Sequence, residues 1–319
     1  MKPVSVVIPA YRRENVLSTV PFLQGQRYGD ELRIVVVDNG NPPELSARLR
    51  GMTGPHVKVI SFPENRGGSA AYIAGVEYAM REHLDSDAVW LLDDDAVPDS
   101  ETLPGLYDAL AARQSVDAKV ACMGSTIVDA AAPDRVVETG AKFSVLLGRA
   151  FGCNAGKTVA SLPGGVVPVD YCAGCSVLIP KAVITSCGFW EDVFIHFDDV
   201  EWGLRAKRRF GYRSFATTSS LVRHPRFDPE KAGAWICYFD ARNMYWLAEK
   251  YGFVAVLCAR AKNWMKDMRA RLAHWHPERV PYRRLAYADF VKGIRRSRSE
   301  LEATIAGGCE NSGGKTCIE

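Results

Sequence analysis

The sequence predicts an α/β protein with an open, mainly parallel sheet in its first half and helices at its C-terminal end. From residue 4 to residue 113, continuously apolar runs of strand length alternate with helical stretches. Strands that are buried on both faces of a sheet have this composition, and helices between them indicate right-handed crossovers. After Pro229 the pattern becomes helical.

The individual elements follow from the apolar runs and the turn residues that end them. In the first half the predicted strands are 4–8, 32–37, 57–61 and 88–92, and the predicted helices are 14–24, 43–50, 69–83 and 100–113. The middle is less regular, with strand candidates at 120–123, 167–169, 176–179, 212–215 and 221–223, a glycine-rich loop or hairpin over 140–165, and a helix over 198–210. The C-terminal helices are 235–250, 254–272 and 282–305.

The composition restricts the class of protein. The 319 residues carry 40 Lys and Arg against 37 Asp and Glu, and 47% of them are hydrophobic. This combination is typical of a folded protein of enzyme size, and the near-neutral charge argues against a dedicated nucleic-acid binder. The scattered cysteines, with no leader pattern and no apolar run of membrane-spanning length, favour a cytoplasmic protein, while the oligomeric state is left open.

Polar or glycine-rich loops follow each of the predicted parallel strands. Ligands of open α/β sheets bind beyond the carboxyl ends of the strands, so we expect these loops to form one site. The loops are Pro9-Ala10-Tyr11-Arg12, Asp38-Asn39-Gly40, Asn65-Arg66-Gly67-Gly68 and Asp93-Asp94-Asp95.

The triple aspartate Asp93, Asp94 and Asp95 is the strongest local signal. Clustered carboxylates repel one another, so a cation stabilises them, and Mg²⁺ or Mn²⁺ takes oxygen ligands and can bridge phosphate oxygens. An ordinary turn is the alternative interpretation, because aspartate is common where strands end.

A second acidic group begins the predicted helix 198–210. Asp198 could cap this helix, whose dipole favours negative charge at its start. Capping needs one carboxylate, so Asp199 and Glu201 are in excess, and a carboxylate near an open site is a candidate general base. His224 is either a structural histidine or the neutral imidazole that completes a carboxylate metal site.

Together these motifs resemble the family 2 glycosyltransferases, the inverting, nucleotide-sugar-dependent enzymes of the GT-A fold. The matching segments, in the family's order, are VVIPAYRR (6–13), VVVDNG (35–40), NRGGSAA (65–71), LLDDDAVPD (91–99), FDDVEWGLRAKRRFGY (197–212), RH (223–224) and YFDARN (238–243). The motifs are most similar to those of galactofuranosyl- and rhamnosyl-transferring members. The resemblance implies a Rossmann-like mixed sheet.

The resemblance also implies a division of the chain and a role for each motif. The expected catalytic domain covers 1–228 (nucleotide-sugar half 1–115, acceptor and base half 116–228). The residues themselves predict a helical extension over 229–306 and, because the end is glycine-rich and polar, a flexible tail over 307–319. The residues expected to hold a UDP- or dTDP-sugar are Pro9, Ala10, Tyr11, Arg12, Asp38, Arg66, Gly67, Gly68, Asp93 and Asp94. The expected ligands of Mn²⁺ or Mg²⁺ are Asp93, Asp95 and His224. The residues that lie where relatives contact the acceptor are Cys172, Gly174, Trp190 and Glu191.

The implied reaction uses an aspartate as general base. Asp199 would remove a proton from an acceptor hydroxyl, which attacks the anomeric carbon opposite the leaving diphosphate and inverts it. Asp198 is the rival, because neighbours on one helix turn cannot be separated from sequence. The acceptor could be a glycan, a lipid-linked saccharide or a small natural product.

Two other functions fit parts of the pattern. A sugar nucleotidyltransferase would also use metal carboxylates and a nucleotide, although the loop 9–13 lacks the glycine of a phosphate loop. A non-catalytic nucleotide-sugar-binding protein is the other alternative, although it needs no Asp199. The sequence is shorter than those of galactan polymerases, so we expect no counterpart of their flanking β-domain and transfer of a single sugar.

Two further features of the sequence are a closely spaced cysteine pair and a basic C-terminal region. The pair Cys172 and Cys175 has the CxxC spacing of a zinc or redox site. Because the sequence has no second CxxC or Cys/His pair at the spacing of a zinc finger, we expect two buried thiols and not a zinc site. The basic C-terminal helices favour a solvated face, with peripheral contact to the inner face of an anionic membrane as the alternative.

Overall fold

The computed structural model describes residues 2–26 and 28–310. The strands are β1 (Val4–Ala10), β2 (Leu32–Asn39), β3 (Val57–Phe62), β4 (Ala88–Leu92), β5 (Val97–Pro98), β6 (Val120–Asp129), β7 (Ala132–Glu138), β8 (Ala141–Ser144), β9 (Arg149–Gly152), β10 (Val166–Val169), β11 (Ser176–Pro180) and β12 (Arg213–His224). The helices are α1 (Val16–Gln24), α2 (Pro43–Arg50), α3 (Gly67–Glu82), α4 (Thr102–Gln114), α5 (Lys181–Cys187), α6 (Asp198–Phe210), α7 (Ile236–Glu249), α8 (Phe253–Leu272), α9 (Val280–Lys292) and α10 (Arg298–Glu310).

One mixed sheet forms the centre of the N-terminal part, in the order β10-β12-β6-β11-β4-β1-β2-β3. The strands β4, β1, β2 and β3 are parallel, as predicted, and the sheet becomes mixed where β11 runs antiparallel to β4 and β6. The register pairs Ala10 with Asp38 and Val7 with Leu91. The loops after β1, β2 and β4 therefore begin at the same edge of the sheet.

The chain divides into two compact units. Unit 1 comprises the described residues of 1–142, 151–192 and 198–226, and unit 2 comprises those of 143–150, 193–197 and 227–319. The domain boundaries implied by the sequence resemblance stay a prediction. The expected tail lies in α10 as far as Glu310, and its remaining part, 311–319, lies outside the described residues.

The core of unit 1 covers both faces of the sheet because alternate strand residues point to opposite sides. On one face Ile8 packs with Val20 of α1, and on the other face Val7 packs with Val76 of α3. All these side chains are buried. The continuous apolar runs in the sequence thus reflect strands covered on both faces.

Three expected elements, two strands and one helix, differ from those observed. The segments 212–215 and 221–223 belong to the single strand β12, whose register shifts between Thr217 and Leu221. Its polar Ser220 stays in the strand because the hydroxyl donates to the carbonyl oxygen of Thr102 at 2.7 Å. The expected helix 282–305 is two helices, since Gly293 ends α9 in the left-handed conformation.

Unit 2 is built on α7, α8 and α9 around the buried aromatic side chains of Tyr238, Phe239 and Tyr245. The buried Arg242 donates to the carbonyl oxygen of Val193 at 2.8 Å. Asn243 lies within hydrogen-bonding distance of the carbonyl oxygens of Val193, Ile195 and His196. The YFDARN motif therefore holds the segment 193–197, in which Phe194, His196 and Phe197 have positive φ. Within residues 2–26 and 28–310, no helix combines the length and the apolar character needed to span a membrane.

Candidate active site

Asp93, Asp95 and His224 converge beyond the ends of β4 and β12. One potential ligand atom of each lies within 4.8 Å of the other two. His224 Nε2 is 3.0 Å from Asp95 Oδ1 and 3.5 Å from Asp93 Oδ2. Two carboxylates and an imidazole form a donor set that suits Mn²⁺ and that Mg²⁺ can also use. The predicted metal ligands are therefore brought together as a group that could hold one divalent cation.

The short strand β5 explains why these distant residues meet. It pairs with β12 through Pro98 with Val222 and Val97 with Arg223. This pairing fixes the loop after β4 beside the end of β12, where His224 lies. The cluster is thus positioned by backbone hydrogen bonds as well as by the charges themselves.

Arg13 brings a positive charge to the same carboxylates. Its guanidinium pairs with Asp95 and lies 3.9 Å from Asp94 Oδ1. A guanidinium here relieves the repulsion among neighbouring carboxylates and is suited to bind phosphate oxygens. Arg13 belongs to the VVIPAYRR motif but is not among the residues predicted to bind the nucleotide sugar. A basic pair in the loop after β1 was the available signal.

Asp94 faces the loop after β1. Its Oδ2 accepts a 2.8 Å hydrogen bond from the backbone N–H of Tyr11. Burial raises the pKa of Asp94 to about 6, while the Tyr11 hydrogen bond opposes this shift. The middle aspartate therefore connects the triple-aspartate loop to the predicted nucleotide loop.

Asn41 shapes the predicted nucleotide loop. Its side-chain N–H groups donate to the buried Asp38 carboxylate and to the carbonyl oxygen of Ala10, each at 2.8 Å. Its Oδ1 accepts from the backbone N–H of Arg12 at 2.5 Å. Arg12 has a positive φ of 58°, a conformation that costs a non-glycine residue free energy. Sequence reasoning missed Asn41, because asparagine after a strand is also an ordinary turn residue.

The NRGG segment begins helix α3. Asn39 accepts a 2.9 Å hydrogen bond from the backbone N–H of Arg66 and donates to the carbonyl oxygen of Gly67 at 3.1 Å. A Cβ added to Gly68 would meet no described atom within 4 Å. The start of this helix therefore offers backbone N–H groups and open space, an arrangement that suits an anion.

The two aspartates at the start of α6 have different partners. Asp199 Oδ1 accepts from the backbone N–H of Val200 at 2.7 Å, and Asp199 Oδ2 accepts from the backbone N–H of Gly174 at 3.3 Å. Asp198 Oδ2 accepts from the Ser69 hydroxyl at 2.7 Å, and Asp198 Oδ1 accepts from the backbone N–H of Asp199. Burial and the charge of Asp198 raise the pKa of Asp199, which makes it the stronger base when deprotonated.

Tyr72 and Gly174 connect the metal-ligand cluster to Asp199. The Tyr72 hydroxyl lies 2.6 Å from Asp93 Oδ1 and 3.1 Å from the carbonyl oxygen of Gly174. The N–H of the same glycine donates to Asp199. The cluster and the candidate base are therefore separated by two hydrogen-bonded residues. Tyr72 was missed because it lies within the apolar pattern of a helix.

Trp190 lies against both connecting residues. Its ring packs edge-on against Tyr72 at 5.1 Å between centroids and stacks on Phe189 at the same distance. The buried indole Nε1 has no hydrogen-bond partner among the described residues. Within the described residues this N–H group is therefore left unsatisfied.

Gly174→Ala is expected to lower the free energy of unfolding by about 1–3 kcal/mol. The added Cβ would lie 2.5 Å from Trp190 Cη2, and the ring is confined by its aromatic neighbours. Urea unfolding measures the loss. Gly164→Ala is the matched control, because a Cβ there meets no described atom within 4 Å. Equal stability of the two variants would contradict the close approach of Trp190 to Gly174.

The remaining predicted residues have mainly internal contacts. Both carboxylate oxygens of Glu201 accept from Arg205 Nε at 3.0 Å, and Arg205 also donates to the carbonyl oxygen of Phe189. Cys172 is buried, donates to the carbonyl oxygen of Phe215 and lies 3.8 Å from the sulfur of Cys122. In the described part of the chain no potential metal-ligand group includes a cysteine. The acceptor roles of Cys172 and Glu191 stay predictions.

Comparison with known proteins defines the class. Residues 5–133 match the model of the Glycosyl transferase family 2, which confirms the resemblance predicted from the motifs. Together with the mixed sheet and the Asp-Asp-His cluster, this match describes a GT-A protein similar to the family 2 glycosyltransferases.

Two particular relatives are galactofuranosyltransferases. The chain is 25% identical over 293 residues to galactofuranosyltransferase GlfT2 of Mycobacterium tuberculosis. The match covers 85% of this chain and 43% of that protein. It is 31% identical over 102 residues to galactofuranosyltransferase GlfT1 of Mycolicibacterium smegmatis. That match covers 31% of this chain and 32% of that protein. The matched regions thus span less than half the length of either relative.

Solved structures confirm the predicted GT-A fold. Mannosyltransferase PcManGT from Pyrobaculum calidifontis, in complex with GDP-Man and Mn²⁺, has a TM-score of 0.52 at 17% identity over 97% of this chain and 80% of that chain. GalNAc-T7 with UDP, GalNAc and Mn²⁺ has a TM-score of 0.60 at 13% identity over 99% of this chain and 58% of that chain. At these identities the likeness concerns the fold alone.

Proposed function

We propose that the protein is a metal-dependent glycosyltransferase that moves one sugar from a UDP- or dTDP-sugar to an acceptor hydroxyl and inverts the anomeric carbon. One observation carries the proposal: Tyr72 and Gly174 join a divalent-cation ligand group to a partly buried aspartate, Asp199, in one hydrogen-bonded site. A cation site alone would suit nucleotide binding. A base beside it adds the means to activate an acceptor.

The donor occupies the loop edge of the sheet in this proposal. Asp93, Asp95 and His224 would hold Mn²⁺ or Mg²⁺, which supplies charge that stabilises the leaving diphosphate. Arg13 and the N-terminus of α3 contribute further positive potential for phosphate oxygens. The buried Asp38, at the end of β2, accepts an N–H of the base.

Asp199 is the general base in this proposal. Its Oδ2 receives a long 3.3 Å hydrogen bond from Gly174 and retains capacity to accept an acceptor proton. Asp198 is engaged by Ser69 at 2.7 Å and orients the start of α6. The acceptor oxygen, once deprotonated, attacks the anomeric carbon in a single displacement, and the diphosphate leaves from the opposite side.

The relatives and the position of Trp190 suggest which donor to test first and which residues contact the sugar or the acceptor. Two curated relatives are named galactofuranosyltransferases, so a UDP-linked galactofuranose is the first donor to test. Trp190, with its unpartnered Nε1, and Gly174 would contact the acceptor or the transferred sugar.

A product assay separates this proposal from its alternatives. The purified protein is incubated with UDP-galactofuranose, UDP-galactopyranose or dTDP-rhamnose and a panel of hydroxyl acceptors, with Mn²⁺ or with EDTA. The glycosylated acceptor and the released phosphates are identified by mass. We expect one donor to release nucleoside diphosphate with Mn²⁺, at least about 100-fold faster than with EDTA. Pyrophosphate release would indicate a nucleotidyltransferase. Thermal stabilisation by a donor without turnover, across a panel of hydroxyl acceptors, would indicate a binding protein.

A further inference from the structure

Helix α8 exposes an apolar stripe along its length. The stripe consists of Phe253, Val254, Leu257, Trp264, Met265 and Leu272, all exposed. Successive helical residues are rotated by about 100°, so these positions fall within an arc of about 120°. The other side of the helix is buried in unit 2 through Ala255, Ala259 and Ala270. Exposed apolar side chains that share one side of a helix are a feature of interaction sites.

Cations lie beside the α8 stripe. At about 100° per residue, Arg260 and Arg269 fall near its two margins and Arg271 within its arc. Lys266 lies on the opposite side, and Lys262 donates to the carbonyl oxygens of Leu147 and Gly148. The one acidic residue of α8, Asp267, is paired with Arg283 at 2.6 Å and so contributes little free negative charge. A helix with an apolar side between cationic margins complements the interface of an anionic lipid bilayer.

An arginine cleft of about 270 Å³ opens beside Trp264. The cleft is lined by Arg260, Arg271, Arg283 and Arg284, and Asp267 is the only acid in its lining. Arg283 is 4% exposed, and its Nη2 has no hydrogen-bond partner in residues 2–26 and 28–310. An unpaired buried guanidinium N–H is costly, and a phosphate oxygen is a ligand that satisfies it well.

We propose that α8 docks the protein on an anionic bilayer, with the α8 stripe in the interface and a lipid phosphate in the arginine cleft. Two independent observations support one occupant. The exposed aromatic and aliphatic side chains can insert at the boundary between headgroups and acyl chains. The arginines of the neighbouring cleft can bind the phosphate of a lipid headgroup. The docking goes beyond the proposed glycosyl transfer and does not depend on it.

Vesicle co-sedimentation of the full chain, without nucleotide sugar, tests the docking. We expect the protein to sediment with vesicles of phosphatidylglycerol and phosphatidylcholine and not with phosphatidylcholine alone. The stripe variant Trp264→Ser with Met265→Ser should lower the partition coefficient by at least about tenfold. The cleft variant Arg271→Gln with Arg284→Gln should lower it by about fivefold per charge.

Matched controls change exposed residues of unit 1. Leu84 and Val116 are 82% and 76% exposed, so Leu84→Ser with Val116→Ser removes comparable apolar surface away from α8. Arg50→Gln with Arg209→Gln removes the same charge as the cleft variant. Both controls should bind vesicles like the unchanged protein, and circular dichroism should show all four variants folded.

Several results would overturn the docking. These are equal binding to neutral and anionic vesicles, unchanged binding of the stripe variant, and a stripe-dependent dimer that binds no vesicles. Binding of inorganic phosphate in the cleft without vesicle binding would assign the cleft to a free phosphate compound instead. Since the assay contains no donor, its failure would leave the proposed transfer reaction untouched.

Discussion

Asp199→Asn is expected to lower kcat by about 10²–10⁴-fold, because an amide cannot take the acceptor proton. Donor and Mn²⁺ binding should change little, since Asp199 belongs to the Gly174 side of the site and not to the cation ligands. Single-turnover transfer measures the chemical step, and isothermal titration with UDP and Mn²⁺ measures binding.

Asp198→Asn is the matched control for this variant. The two aspartates are neighbours with the same charge, but Asp198 is engaged by Ser69. We expect a loss of kcat of about tenfold or less from a shifted α6 start, and a similar loss in Ser69→Ala. If Asp198→Asn loses transfer and Asp199→Asn keeps it, the base has been assigned to the wrong aspartate.

The pH profile gives an independent view of the same group. Burial and Asp198 raise the pKa of Asp199 above its usual range. Below that raised pKa the carboxyl is protonated and cannot act as base, so kcat/KM should rise with pH through the raised value and level off above it. Asp199→Asn should lose this acidic limb, and an unchanged limb would assign it to another group.

His224→Ala and Asp95→Asn are expected to weaken Mn²⁺ binding by about 100-fold or more and to lower transfer by at least about 10³-fold. Each variant removes one of the three ligand atoms that lie within 4.8 Å of one another. Isothermal titration of Mn²⁺ in the presence of UDP measures the first effect. Asp134→Asn is the matched control, because Asp134 is an exposed carboxylate on β7.

High Mn²⁺ should partly restore the Asp95→Asn variant, because two ligands remain. Mn²⁺ affinity equal to that of the unchanged protein in both variants would contradict the metal site. EDTA-resistant transfer by the unchanged protein would contradict the role of the cation in the reaction.

The sheet and the cluster were predictable for a physical reason. Strands covered on both faces are apolar throughout, so β1, β2, β3 and β4 stand out, and their loops must meet at the carboxyl edge. Asp93 and Asp95 are visible because consecutive carboxylates are costly without a cation. Their approach to His224 was implied by family resemblance alone, since β5, which joins them, has two residues and no pattern of its own.

The residues that sequence reasoning missed act through tertiary contacts. Tyr72 is indistinguishable from a core residue of α3 until its hydroxyl is seen beside Asp93. The sequence gives the YFDARN motif no role. In the structure, Arg242 and Asn243 of this motif bind carbonyl oxygens of the segment 193–197. In the sequence the basic C-terminal helices fit both a solvated face and a membrane contact, because charge alone does not reveal which side of α8 is exposed.

Anomalous diffraction at the manganese edge, from crystals soaked with Mn²⁺ and UDP, tests the cation site most directly. The account predicts one strong peak about 2.0–2.3 Å from a carboxylate oxygen of Asp95 and from a ring nitrogen of His224, with diphosphate density beside it. A manganese peak elsewhere in the protein, or bound UDP with no manganese near these two residues, would contradict it.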